Sequence, residues 1–307
     1  MTCRGLLCSA LLTLAFALPA KAQGQQCVLD RFSALPITTI PDGRFTVPAV
    51  LNGRKLDFLV DTGGVVATIE RDQAFNLHLA TNYTPRTLKG VAGNSLIYVA
   101  VLETFSLGRL EGTKLAAYID NRLPAGVDGT LSPDMMRHYD VDIDLLRGTL
   151  SLFSQKHCVG KVVYWTKSGY VALPMEVESD GHIRVPVTVD GAKVTALLDT
   201  GARNSIISMS LAKKIGVSEN SPDLKLVRGS TGPNNTLSDA LNKKYDYPFK
   251  LLDFNGIAVS NPHLQIVSDG YLPKGMDMLV GVSILRRLHL YIAYGEEKLY
   301  ITPAGAN

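Results

Sequence analysis

Residues 56–63 read Leu-Asp-Phe-Leu-Val-Asp-Thr-Gly, and residues 194–201 read Val-Thr-Ala-Leu-Leu-Asp-Thr-Gly. Each is an apolar run that ends in Asp-Thr-Gly, and the two lie 138 positions apart. The same offset aligns residues 35–77 with residues 173–215 without a gap. Leu35-Pro36 falls on Leu173-Pro174, Asp42-Gly43 on Asp180-Gly181, Val47-Pro48 on Val185-Pro186 and Gly53 on Gly191; 14 of the 43 positions are identical. Solenoid repeats have periods of roughly 20–50 residues, so a period this long marks a domain present twice.

Working outward from the two motifs, each half reads as β-rich. Apolar stretches at 45–50 and 55–60 are joined by Asn52-Gly53, and those at 183–189 and 193–198 by Asp190-Gly191. Both dipeptides suit a two-residue hairpin turn. After each Asp-Thr-Gly the pattern predicts another strand, at 65–69 and 205–207, and a short helix, at 71–77 and 210–215. A second matched segment follows at an offset of 149: residues 128–131, 135–139 and 141–144 against 277–281, 284–288 and 290–294. These predict an apolar strand, a short helix and a further strand in each half. The expected organisation is a first lobe over 28–156, a linker over 157–169 and a second lobe over 170–303. Asp128, Asp142 and Asp144 read as turn or surface acids.

The composition fits this plan and excludes several classes. Of 307 residues, 46% are hydrophobic and 19% charged, which excludes wholesale disorder. The net charge is only +3, with no basic stripe of the kind a nucleic-acid binder shows. Arg4, an uncharged apolar run over 5–18 and Ala20-Lys21-Ala22 form the three-part pattern of a signal peptide over residues 1–22. The run is shorter than the ~20 residues of a membrane span. A chain beginning at Gln23 has 285 residues and a net charge of +1. It is expected to be exported, periplasmic or secreted, with no integral membrane segment. Cys3 and Cys8 leave with the leader, so only Cys27 and Cys158 remain, a natural disulfide pair in an oxidising compartment. Closing so long a loop contributes roughly 4–5 kcal/mol in the chain-entropy view; two unrelated thiols are the alternative. Without Cys-x-x-Cys or His-Glu-x-x-His, no metal or other cofactor is expected. Gly229 to Gly232 lacks the Gly-Lys-Ser/Thr of a phosphate loop, and Gly281-Val282-Ser283 lacks the second glycine of a nucleophile elbow.

An apolar run into Asp-Thr-Gly, followed by an apolar segment with a helix and a strand, resembles the aspartic protease pattern. It resembles the retropepsin-like branch in particular, duplicated in one chain as in pepsin-like enzymes, in an exported bacterial-type arrangement of two tandem domains. One Asp-Thr-Gly arises by chance in about one chain of this length in twenty; a second copy in repeat register is far rarer. The resemblance implies a mainly β fold, two barrel-like lobes forming a single-chain pseudo-dimer with the active site between them, and a monomer that cuts peptide or protein substrates. It implies that Asp61 and Asp199 are the catalytic carboxyls, and that Thr62 and Thr200 lock the two loops by hydrogen bonds across the interface.

The residues support that chemistry on their own terms. Two carboxyls about 3 Å apart cannot both ionise readily and hold one proton between them, so one can activate water while the other protonates the substrate carbonyl. Gly63 and Gly201 let backbone approach the carboxyls where a Cβ would crowd the facing loop. Gly64 and Ala202 stand where pepsin-like relatives carry a hydroxyl that bonds a catalytic carboxylate. Without that donor the optimum is expected to be mildly acidic, about pH 5–6. Ser132 stands where the family and the second half (Gly281) have glycine, which predicts looser packing behind Asp61. Gly90 to Gly93 and Gly229 to Gly232 are candidates for a covering hairpin, with ordinary surface loops as the alternative. The competing function is a catalytically silent relative that binds peptides or proteins in the cleft between the lobes.

Overall fold

The computed structural model describes residues 27–90, 93–218, 220–227, 243–273 and 275–306, of which 84–90 and 93–97 in backbone only. The leader at 1–22, the loop from Gly229 to Gly232 and the tip Val91-Ala92 lie outside the described residues.

Both predicted hairpins form. Phe45–Leu51 pairs with Arg54–Val60, and Ile183–Val189 with Ala192–Leu198. Their turn residues all take the left-handed backbone that a two-residue turn of this twist requires: φ is +50° and +79° at Asn52 and Gly53, and +46° and +84° at Asp190 and Gly191. In the first strand of each hairpin every second residue is buried: Phe45, Val47, Ala49 and Leu51, then Ile183, Val185, Val187 and Val189. The second strands change pattern. Phe58, Leu59 and Val60 are all buried, as are Ala196, Leu197 and Leu198. These strands run inside their sheets, parallel to Gly129–Leu131 and Met278–Val280 respectively, so neither face meets water. Each therefore delivers its Asp-Thr-Gly from the middle of a sheet.

The fold is mainly β, with an eight-stranded sheet in the first half, a ten-stranded sheet in the second and a six-stranded sheet built from both. Some predicted bounds shift. The strand expected at 65–69 is Thr68–Glu70, and the helix expected at 135–139 is Pro133–Met136. Pro133 occupies the first helical turn, where a missing N–H costs nothing. Its counterpart is Val282–Leu285, not 284–288.

The shared sheet joins the halves through Asp140–Asp144 and Leu288–Ala293, paired Val141 to Ile292 and Ile143 to Leu290. Those four apolar residues are buried in the main core, while Asp140, Asp142, Asp144, His289 and Tyr291 alternate with them. Asp142 and Asp144 are thus not surface acids: both are buried, Asp142 beneath residues 157–165, which supply it a partner, and Asp144 against Arg147 and His289. His157 Nε2 meets Asp140 Oδ2 at 2.6 Å, His289 Nε2 meets Asp142 Oδ1 at 2.6 Å, and the Tyr164 hydroxyl donates to Asp142. Trp165 stacks on His289 at 4.2 Å between ring centres. Buried carboxyls are tolerable only when paired in this way. The Cys27–Cys158 disulfide forms, with Cα atoms 5.4 Å apart, and pins the start of the described chain to this covering segment. Among the described residues no helix is long and apolar enough to cross a membrane.

Candidate active site

The two Asp-Thr-Gly loops meet face to face. Asp61 N–H donates to Leu131 O (2.9 Å) and Asp199 N–H to Val280 O (3.0 Å), so each motif is anchored to the strand parallel to its own. The threonines then cross. Thr62 Oγ1 donates to Leu198 O (2.8 Å) and accepts from Thr200 N–H (3.0 Å), while Thr200 Oγ1 donates to Val60 O (2.7 Å) and accepts from Thr62 N–H (3.0 Å). Both side chains are fully buried, and all four bonds link one half to the other.

This lock brings each glycine against the opposite carboxyl. A Cβ on Gly63 would lie 2.2 Å from Asp199 Cγ, and one on Gly201 would lie 2.1 Å from Asp61 Oδ1. Neither glycine has positive φ, so close approach, not backbone conformation, is what demands glycine there. Gly63 N–H donates to Asp61 Oδ1 (3.1 Å) and Ala202 N–H to Asp199 Oδ1 (2.9 Å). Both aspartates are half-buried where the two loops meet. Burial pushes the Asp61 carboxyl above the ordinary range, against the pull of the Gly63 and Gly64 amides and of Arg44 and His182. Burial, and then the Asp61 charge, push Asp199 up to about 8. Such a pair retains a shared proton well above the pH at which a free carboxyl loses it.

Gly64 and Ser132 prove to be one feature. A Cβ at Gly64 would lie 2.5 Å from Ser132 Oγ and 3.0 Å from Asp61 Oδ2. The buried Ser132 side chain therefore fills the space that a side chain at 64 would take, and packing behind Asp61 is closed where it was expected to be loose. In the second half the exchange is reversed: Ala202 carries the Cβ, and one on Gly281 would meet Asn204 O at 2.5 Å and Ala202 O at 2.7 Å. There Val282 N–H ties to Ala202 O (2.9 Å). The equivalent Pro133 has no N–H to give, so the first loop lacks that tie and leaves room for the serine.

Two residues that sequence reasoning passed over complete the site. Arg44 Nη1 donates to Gly201 O (3.1 Å), and His182 Nε2 donates to Gly63 O (2.8 Å). They occupy equivalent places in the repeat, two residues after Asp42 and Asp180, so the offset of 138 already paired them. Arg44 also holds Asp42 (2.5 Å), whose carboxyl burial would raise but which the Arg44 hydrogen bonds and charge bring below its usual range. Glu178, Asp180 and His182 bring three potential ligand atoms within 4.8 Å of one another. Arg184 pairs with Glu178 (2.7 Å) and His182 with Asp180 (3.0 Å), so we read this group as an ion-pair network. Of the two candidate covering hairpins, the first is framed by Thr81–Gly90 and Gly93–Leu107, paired up to Gly90 opposite Gly93.

The aspartyl protease family model matches residues 47–134 and again residues 185–284. No curated protein matches the chain.

Proposed function

The chain belongs to the aspartyl protease family, and from that membership we propose that it is an endopeptidase whose Asp61 and Asp199 activate the water that cleaves the peptide bond. One observation carries the reading. The two carboxyls are packed beneath each other's glycine, with Asp199 pushed up to about 8, so the pair keeps one proton across the acidic and near-neutral range.

In that state the ionised carboxyl takes a proton from water while the protonated one donates to the substrate carbonyl oxygen. Oxygen bonds to the carbonyl carbon and a tetrahedral diol forms. Its collapse returns a proton to the amide nitrogen and breaks the C–N bond, which leaves an acid, an amine and the pair with its single proton. The threonine lock keeps the two carboxyls in register, and the Gly63 and Ala202 amides orient them. An extended substrate lies between the lobes, paired partly through its main chain.

One chain supplies both carboxyls, so the active unit is a monomer. The charged, apolar and small-residue pattern of residues 1–22 supports export, to a periplasm or beyond the cell. The disulfide fits an oxidising compartment.

The test is a labelled peptide library with and without pepstatin, repeated on Asp61→Asn and Asp199→Asn. Pepstatin-sensitive cleavage lost in both variants is expected. A wild-type chain that binds peptides without cutting them is instead a silent cleft-binding module, and an Asp61→Asn variant that cuts at near wild-type rate rules out the dyad.

A further inference from the structure

The structure assigns to His182, beyond the dyad itself, a positioning role in which its doubly protonated ring clamps the Gly63 peptide against Asp61; the inference rests on the proposed dyad chemistry. The two halves use the same device with different cations. Arg44 from the first half reaches Gly201 O (3.1 Å), and His182 from the second reaches Gly63 O (2.8 Å). Each peptide so gripped turns its N–H toward a catalytic carboxyl: the Gly201–Ala202 peptide gives the Ala202 N–H to Asp199 Oδ1 (2.9 Å), and the Gly63–Gly64 peptide gives the Gly64 N–H, which pulls the Asp61 carboxyl down.

The contacts suit a ring that carries both protons. A carbonyl oxygen only accepts, so Nε2 must carry a proton toward Gly63. On the other side Nδ1 stands 3.0 Å from Asp180 Oδ2 and 3.8 Å from Glu178 Oε2, which as carboxylates also only accept. Both nitrogens face acceptors, an arrangement that the imidazolium fits. A neutral ring would either turn a lone pair on Asp180 or surrender Gly63. Other charged groups border this site. Arg184, on the same hairpin, is engaged with Glu178 (2.7 Å). From the facing loop comes Asp61 itself. From Pro133–Met136, whose Pro133 packs against Gly181, comes Asp134, whose carboxyl accepts from Ala67 N–H (2.9 Å).

A guanidinium stays charged at every working pH, whereas an imidazole ordinarily gives up its proton between about pH 5 and 8. The pseudo-dimer therefore has one permanent clamp and one that releases as pH rises. Release loosens the Gly63–Gly64 peptide, whose Gly64 N–H bears on Asp61, and withdraws a positive charge from beside that carboxyl. The alkaline side of the activity profile is then set partly by His182 and not by the two carboxyls alone.

The experiment follows the Gly64 amide resonance by NMR from pH 5 to 8 in the wild-type chain, His182→Arg and His182→Gln, with thermal melts to verify folding and kcat and KM measured on one peptide. In the wild type the Gly64 amide, which shares its peptide group with Gly63 O, should shift with the same midpoint as the His182 ring, and that shift should vanish in His182→Arg. His182→Gln should lose about tenfold in kcat with KM little changed. His182→Arg should restore kcat and hold at least about threefold more of it than wild type at pH 7.5 relative to its optimum. A Gly64 amide that ignores the ring titration, or a His182→Arg to wild-type activity ratio that does not vary with pH, overturns the inference. If neither the wild type nor any variant cleaves peptide, the protease reading falls instead, and the amide titration still decides whether His182 clamps Gly63.

Discussion

Replacing Asp199 with asparagine should stabilise the protein at neutral pH while it abolishes cleavage. The unfolded chain releases this proton near pH 4, whereas the folded protein holds it until about 8. Between those limits the native state binds more protons than the unfolded one, so stability falls as pH rises. Each unit of separation is worth about 1.4 kcal/mol, and at pH 7 roughly three units have been crossed, which sets a ceiling of about 4 kcal/mol. Asp199 is only half-buried, and asparagine brings an amide that needs its own partners, so we expect a net gain of about 1–3 kcal/mol. At about 2–4 °C per kcal/mol for a domain of this size, the melting temperature should rise by roughly 2–12 °C. Calorimetry at pH 4.5 and 7.5 reads the effect directly. The difference between variant and wild type should be small at the lower pH and large at the higher. A variant less stable than wild type at pH 7.5, or a difference independent of pH, refutes the claim that the carboxyl pair is held protonated at a cost in stability.

Three further outcomes follow from the packing. Gly201→Ala puts a methyl 2.1 Å from Asp61 Oδ1 and should remove activity by prising the loops apart, with a loss of about 1–3 kcal/mol in a denaturant melt; wild-type turnover in this variant would mean the loops are not packed as described. Gly64→Ser alone should destabilise by a similar amount through its contact with Ser132 Oγ, and Gly64→Ser with Ser132→Gly should recover most of it. Equal melting temperatures for the single and double variants would count against the exchange. Cys158→Ser should cost about 2–4 kcal/mol, and reduction of the wild type should produce the same drop in melting temperature; an unchanged melt would show that the covering segment holds without the disulfide.

The repeat made the fold legible. Asn52-Gly53 and Asp190-Gly191 fixed two hairpins, the offset of 138 placed two aspartates in register, and cysteine counting paired Cys27 with Cys158. What escaped was whatever depends on the second face of an element. Asp140, Asp142 and Asp144 alternate with Val141 and Ile143, a pattern that ordinarily describes a strand with one wet face. Nothing local says that residues 157–165 will fold back over that face and bring His157, Tyr164 and Trp165 to it. The alternation identified the strand correctly and its environment wrongly, because burial there is decided by a segment more than a dozen residues away.

The same limit explains why the departures from symmetry were read one at a time. Gly64 looked like a lost hydroxyl and Ser132 like a packing defect, yet in space they are one exchange of volume, matched by the opposite exchange at Ala202 and Gly281. Arg44 and His182 were aligned by the offset and still silent, since a basic residue directly after Asp-Gly has no evident task until the other half is folded against it. A duplicated chain can divide a symmetric job between unequal residues, provided each change is answered by its neighbour in space. Paired positions of the repeat should therefore be judged together with what faces them, and the two positions that face the Asp-Thr-Gly loops across the interface, Arg44 and His182, are where this chain has kept the contact and changed its chemistry.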